Sequence, residues 1–334
     1  MNSYLAGKRI CVTGGAGFLG RVVCARLSTR KAGDLFVPRS TEFDLTQAED
    51  VTHLFDACRP QVVIHLAAEV GGIGANQRHP GRFFYANMAM GLHLIEAARQ
   101  FGVDKFVQIG SVCAYPKYCD VPFQEDDLWS GFPEETNAAY GIAKRALAVM
   151  LAAYRREYGF NGVYLIPTNL YGPGDNFDPE TSHVIPALIR KFADAVAHGD
   201  DTVVCWGQGA VTREFLYVDD AAEAIVAAAE VHNDSAPINL GGGEEIRIAD
   251  LAERIAELYG FRGRIAWDSS QPDGQPRRGL DSTKAYVRLN WKPKIGLQEG
   301  LRRTVDWWHE HCSDGSRRRP LPHRSWVDKI PQTE

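Results

Sequence analysis

Tyr140 and Lys144 stand four residues apart in a stretch with helical periodicity, which places both side chains on one face. A phenol with an ordinary pKa of about 10 exchanges protons poorly at neutral pH, and a neighbouring ammonium favours the phenolate. Ser111 follows an apolar run, Lys105 to Ile109, that reads as a strand. A hydroxyl at a strand's carboxyl end can hold a substrate oxygen while the tyrosine exchanges a proton with it. Tyr-x-x-x-Lys alone is common by chance. Ser111 and a glycine turn near the start of the chain give the pair its chemical meaning: hydride transfer to or from a carbonyl carbon.

That turn is Thr13-Gly14-Gly15-Ala16-Gly17-Phe18-Leu19-Gly20, between a first strand and a first helix. Glycines let the backbone turn sharply and approach a pyrophosphate, whose charge meets the helix N-terminus. NAD would want an acid at the exit of the second strand. Asp34 has the spacing but precedes the apolar run Leu35-Phe36-Val37, and the exit carries Pro38-Arg39-Ser40 instead. A guanidinium there suits a 2′-phosphate, so NADP(H) is expected, with Asp44 and Leu45 near the adenine.

Strands at about 8–13, 35–37, 62–66, 105–109 and 162–166 alternate with helical patterns, among them 18–31, 83–100 and 138–158. The alternation predicts an α/β fold, a Rossmann-type doubly wound parallel sheet, with a smaller α/β substrate-binding lid domain. After Tyr171 the turn-rich Gly172-Pro173-Gly174-Asp175-Asn176 breaks the pattern, and later elements read as shorter and irregular. The expected division is 1–172 plus about 207–242 for the dinucleotide domain, about 173–206 and 243–312 for the lid, and 313–334 as a C-terminal arm.

The 334 residues are 45% hydrophobic and 24% charged, with formal net charge −5. That balance suits a globular protein and disfavours nucleic acid as a partner. No segment reads as a signal peptide or a bilayer span, so no membrane partner is expected. Seven cysteines lack metal-type pairing, which points to reduced thiols in a cytoplasmic setting and to no metal site.

Thr13–Gly20, His65-Leu66-Ala67-Ala68, Ser111, Tyr140-Gly141-Ile142-Ala143-Lys144 and Arg213-Glu214-Phe215-Leu216-Tyr217-Val218-Asp219-Asp220 together resemble the extended short-chain dehydrogenase/reductase family. The resemblance covers nearly the whole chain and implies action on nucleotide sugars, with Ser111, Tyr140 and Lys144 catalytic. It also implies cofactor contacts from Gly14, Gly15, Ala16, Gly17, Phe18, Leu19, Gly20, Arg39, Asp44, Leu45, Ile109, Gly110, Lys144, Pro167, Asn169, Leu170 and His183. Homodimers are usual in the family.

Within it, Val70-Gly71-Gly72-Ile73 with Asn76, Ser111-Val112-Cys113-Ala114-Tyr115-Pro116, Pro167–Pro173, Asp175-Asn176-Phe177, Ser182–Leu188 and Pro272–Arg277 are similar to the GDP-L-fucose synthase group. These are 3,5-epimerases and 4-reductases of GDP-4-keto-6-deoxy-D-mannose. The likeness implies Cys113 and His183 as the acid–base pair for inversion at C3 and C5, and Lys191, Trp206, Arg213 and Asp273 at the substrate. A ketone at C4 acidifies those hydrogens, and a thiol and an imidazole suit proton exchange near neutral pH. Taken alone, Cys113 is more often a small core residue, His183 a helix cap, Trp206 core and Asp273 a turn residue. Lys191 replaces a usual arginine and Val112 a usual serine. Three rivals stay open: an enzyme of another GDP-4-keto sugar such as a heptose, a nucleotide-sugar 4-epimerase with bound NAD, and a non-catalytic cofactor-binding protein.

Overall fold

β1 (Ile10–Thr13), buried along its whole length, runs into the glycine turn and on to α1 (Phe18–Thr29) in the computed structural model, which describes residues 3–312. Then come β2 (Leu35–Phe36), α2 (Ala48–Cys58), β3 (Val62–His65), α3 (Ile73–Arg78), α4 (Pro80–Gln100), β4 (Lys105–Ile109), α5 (Ala138–Tyr158) and β5 (Gly162–Pro167). The second part comprises β6 (Asn169–Tyr171), α6 (Val184–His198), β7 (Thr202–Trp206), β8 (Thr212–Tyr217), α7 (Val218–Val231) and β9 (Ile238–Leu240). β10 (Glu245–Arg247), α8 (Ile248–Leu258), β11 (Arg264–Asp268), α9 (Thr283–Leu289) and α10 (Leu297–Cys312) complete it. The expected arm at 313–334 lies outside the described residues.

Six parallel strands form the main sheet in the order β2-β1-β3-β4-β5-β9. They are short and apolar because both faces are covered. Side chains of β1, β3, β4 and β5 pack with α1 and α7 on one face and with α2, α4 and α5 on the other. The chain passes from β1 to β2 on one side and returns to β3 on the other, so a crevice opens beyond the ends of β1 and β3. This is a Rossmann-type doubly wound fold.

A third core joins α6, α8 and α10 to β7, β8 and their neighbours. Its strands form two small sheets, β10-β8-β6 and β11-β7. The segment 207–242 is shared: β8 pairs with β6 and β10, whereas β9 pairs with β5 in the main sheet and α7 packs on α1. The expected shortening after Tyr171 is corrected in one respect. The strands are short, but α6, α7 and α10 have 15, 14 and 16 residues, longer than the 12 of α1. Glycine-rich turns interrupt the pattern there without shortening the helices.

Candidate active site

At the first turn the backbone leaves no room for side chains. Gly14 has φ +70°, and a Cβ on it would lie 2.7 Å from the Ala67 nitrogen. A Cβ on Gly20 would fall on the Gly14 carbonyl, so α1 starts hard against the turn. No side chain caps α1 and no acid stands in its first turn, which leaves its free N–H groups to an anion. The cradle fits a dinucleotide pyrophosphate. Arg39 is exposed just beyond β2, and Asp44 and Leu45 follow, with Asp44 accepting from the Thr46 N–H at 3.0 Å. Asp34 lies at the opposite end of the sheet, lining a cavity of about 220 Å³ with Arg9 and Cys58.

Ser111 follows β4 and opens a short 3₁₀ turn, Val112–Ala114, accepting from the Cys113 N–H at 3.2 Å. Its hydroxyl lies close enough to the Tyr140 phenol to favour the phenolate. Lys144, one turn further along α5, donates to the Ile109 carbonyl at 3.2 Å, with its Nζ 5.7 Å from the centre of the Tyr140 ring. Burial pushes the Lys144 pKa down to about 8. The expected lowering of the Tyr140 pKa is corrected. Burial raises it, the Cys113 thiol adds to the rise, and the Ser111 hydroxyl opposes it only in part. The ammonium is committed to a carbonyl, so desolvation wins and the phenol keeps its proton. Tyr140 is therefore set as a proton donor.

Cys113 is half-buried, and Arg278 Nη1 donates to its sulfur at 3.5 Å. His183 begins α6 without a capping bond from its side chain. Its surface is exposed, yet it stands in a cleft where enclosure by protein and the Arg278 charge push its pKa down. One guanidinium thus acts on both the thiol and the imidazole. Arg213, buried on β8, donates to the Thr212 and Asp273 carbonyls at 2.7 and 2.9 Å. Burial, with the Arg278 charge second, pushes its pKa down to about 9. Among the described residues neither guanidinium has a carboxylate partner in an ion pair. Glu134 and Asp273 act on Arg213 only at a distance, so two enclosed guanidinium groups without an ion-pair partner can take an anion such as a diphosphate.

The other candidates divide. Trp206 keeps half its surface open and lies beside Gly74 of α3. Lys191 donates to the Val204 carbonyl at 2.7 Å. The Asp273 carboxylate accepts from the Gln208 N–H at 2.9 Å, so its carbonyl rather than its side chain meets Arg213. Asn169 reaches the Glu214 carbonyl at 2.8 Å, Pro167 ends β5 and Leu170 packs on the first core. Gly72 N–H donates to the Thr181 carbonyl at 3.2 Å, which ties the 71–76 segment to the loop carrying His183.

Arg278 was not singled out by sequence, nor was Gln275. Gln275 holds the Pro116 carbonyl at 2.9 Å and accepts from Arg278 Nε at 3.1 Å. No local signal marks Arg278: residues 276–278 run beside β8 in extended form, so Arg277 and Arg278 point to opposite sides, and that pairing decides which turns inward. Arg277 pairs with Glu245 at the surface and Arg278 turns inward.

Residues 10–241 match the NAD dependent epimerase/dehydratase family. The chain belongs to that family. Among its relatives, the probable GDP-L-fucose synthase 1 of Oryza sativa subsp. japonica is 43% identical over 92% of this chain and 95% of its own length. The GDP-L-fucose synthase of Escherichia coli (strain K12) is 39% identical over 91% and 97%. Among solved structures, the GDP-L-fucose synthetase of Naegleria fowleri bound to NADP aligns with TM-score 0.84 and 29% identity, over 92% of this chain and 96% of that one. No helix among the described residues is long and apolar enough to cross a membrane.

Proposed function

We propose that this chain is an NADPH-dependent epimerase–reductase that converts GDP-4-keto-6-deoxy-D-mannose to GDP-L-fucose. The observation that carries the reading is that Arg278 donates to the Cys113 thiol and acts by its charge on the His183 imidazole, while that thiol in turn acts on the Tyr140 phenol. A reductase alone has no use for that second acid–base pair. Similarity to GDP-L-fucose synthases over most of both chains supports the same substrate.

In this reading Arg213 and Arg278 hold the diphosphate, Trp206 packs on the nucleotide sugar, and Lys191 and Asp273 complete that side. Ser111 and Tyr140 donate to the C4 oxygen, which stabilises the enolate formed when a proton leaves C3 or C5. His183, neutral because its pKa is lowered, takes or returns a proton on one face, and Cys113 serves the other. Gly14–Gly20 would hold NADPH with Arg39 on its 2′-phosphate, and the bound cofactor would supply hydride to C4. Tyr140, still a phenol, then donates its proton to the C4 oxygen, and the Lys144 ammonium steadies the resulting phenolate. One oxygen site serves both steps.

Ile109, Gly110, Pro167, Asn169, Leu170, Asp44 and Leu45 belong to the cofactor side of this reading. We further place the protein in the cytoplasm as a homodimer through α4 and α5, which pack on each other and keep Phe84, Tyr85, Leu92, Val149 and Tyr158 exposed. A second reading, reduction of another GDP-4-keto sugar, draws on the GDP-6-OMe-4-keto-L-xylo-heptose reductase from C. jejuni. That structure aligns with TM-score 0.86 and 27% identity over 92% of this chain and 99% of its own. Incubation with GDP-4-keto-6-deoxymannose and NADPH, followed by product NMR, separates the two. GDP-L-fucose with solvent deuterium at C3 and C5 is the expected result. A C4-reduced sugar without deuterium would favour the second.

A further inference from the structure

Thr13, His65, Gln108 and Tyr164 form one row across four strands. Thr13 is in register with His65, His65 with Gln108, and Gln108 with Tyr164. Register partners in a parallel sheet point to the same face. Here it is the face covered by α4 and α5, where Phe106 and Tyr164 join the core. All four side chains are at most 1% exposed. A buried polar group is costly unless it is hydrogen-bonded, so four in a row need partners.

Most partners are visible, and they lead to the catalytic helix. The Thr13 hydroxyl meets His65 Nδ1 at 2.7 Å. Gln108 Nε2 donates to the Ile109 carbonyl at 2.9 Å, the same oxygen that receives Lys144 Nζ at 3.2 Å. The Tyr164 hydroxyl donates to the Lys144 carbonyl at 2.8 Å. Two buried atoms are left over, His65 Nε2 and Gln108 Oε1, and they belong to neighbours in register.

Their chemistry is complementary. The Ile109 carbonyl requires a donor, which fixes Nε2 of Gln108 there and leaves Oε1 as an acceptor. Burial and the nearby Lys144 charge keep His65 neutral. The Thr13 oxygen accepts from the Ala67 N–H at 3.4 Å, which leaves its hydrogen for His65 Nδ1 and assigns the ring hydrogen to Nε2, a donor.

We propose that Thr13, His65, Gln108 and Tyr164 form a polar belt that positions Lys144, closed by His65 Nε2–H to Gln108 Oε1 directly or across one buried water. The belt starts at the residue before Gly14 and ends at both the ammonium and the backbone of Lys144. It registers the cofactor cradle against the catalytic helix. His65 and Gln108 are positioning residues, and this role rests on the catalytic reading of Tyr140 and Lys144.

The test uses two replacements that split the imidazole. In His65→Asn the amide reaches the place of Nδ1 and keeps the Thr13 bond. In His65→Gln it reaches the place of Nε2 and keeps the link to Gln108. Gln108→Met, of similar shape, removes the link from the other side and serves where His65→Asn does not fold. Expected are a kcat for ketone reduction about 10-fold lower in His65→Asn and Gln108→Met, and recovery to within about threefold in His65→Gln. NADPH affinity, read by fluorescence titration, is expected to stay within about twofold of the natural protein in all three. Equal losses in His65→Asn and His65→Gln, or undiminished kcat in Gln108→Met, overturn the belt and leave only a structural role. A natural protein that reduces no GDP-4-keto sugar overturns the catalytic reading and the belt with it.

Discussion

Lys144 and Arg213 are both cations walled off from water, and the two sides of the cleft hold them in opposite ways. Lys144 shares one helix with Tyr140, lies over β3 to β5, and gives its ammonium to the Ile109 carbonyl. Arg213 faces a second buried guanidinium, Arg278, and bonds only the carbonyls of Thr212 and Asp273. Burial depresses both pKa values, but the like charge of Arg278 adds to the effect only at Arg213. One side is a finished proton-transfer apparatus. In the proposed reaction the other is completed by the substrate's diphosphate, and binding energy from that remote group seats the reacting sugar.

If the Lys144 side carries reduction, Tyr140→Phe removes the phenol proton and changes little else. Reduction should slow by about 10²–10⁴-fold, with the affinity for GDP-sugar nearly unchanged, as measured by stopped-flow NADPH oxidation and titration. An equal loss of affinity would mean that the phenol serves binding instead. Cys113→Ala strikes between the two sides. Exchange of solvent deuterium into C3 and C5 should fall by about 100-fold while a ketone already epimerised is still reduced. Undiminished exchange removes the thiol from the mechanism.

Arg213→Leu probes the incomplete side. The KM for the GDP-sugar should rise by about 30-fold with kcat within a few-fold, because a charge-assisted contact to an anion is lost. The free protein should become more stable by about 1 kcal/mol, since a desolvated cation without a partner is replaced by an apolar side chain. Calorimetry with and without GDP measures both. A less stable variant would mean that the two carbonyl bonds outweigh the desolvation, and the anion argument would lose its basis.

The same contrast explains what was legible beforehand. Tyr140, Lys144 and Ser111 lie near one another in sequence, on a helix and at a strand end whose periodicities are strong, so spacing alone set their geometry. The turn at Gly14–Gly20 was legible because its glycines fall where the backbone leaves no room for a Cβ, at Gly14 and Gly20 above all. Arg278 was not, since nothing local distinguishes it from Arg277. Its inward turn depends on pairing beside β8, a contact made far along the chain. The belt escaped notice because His65 and Gln108 meet only through strand register, which sequence does not state. The Tyr140 pKa went the other way because proximity to Lys144 was legible and the depth of burial was not.

The last expected effect is on stability alone and tests whether Lys144 is held at a cost in the free protein. A lysine with a folded-state pKa near 8 and an unfolded value near 10.5 is charged in both states below pH 8, and there its burial destabilises the fold. Between those two values the unfolded chain binds more protons than the folded one, so stability gains from this group as pH rises. Lys144→Met should therefore be more stable than the natural protein at pH 7, by about 1–2 kcal/mol, less than the pKa displacement alone would give because the Ile109 carbonyl bond offsets part of it. The advantage should shrink steadily from pH 8 to pH 10. Urea unfolding at several pH values reads it directly. An advantage that does not change with pH would mean that Lys144 is hydrated where it lies, and the contrast with Arg213 would then be one of charge crowding alone.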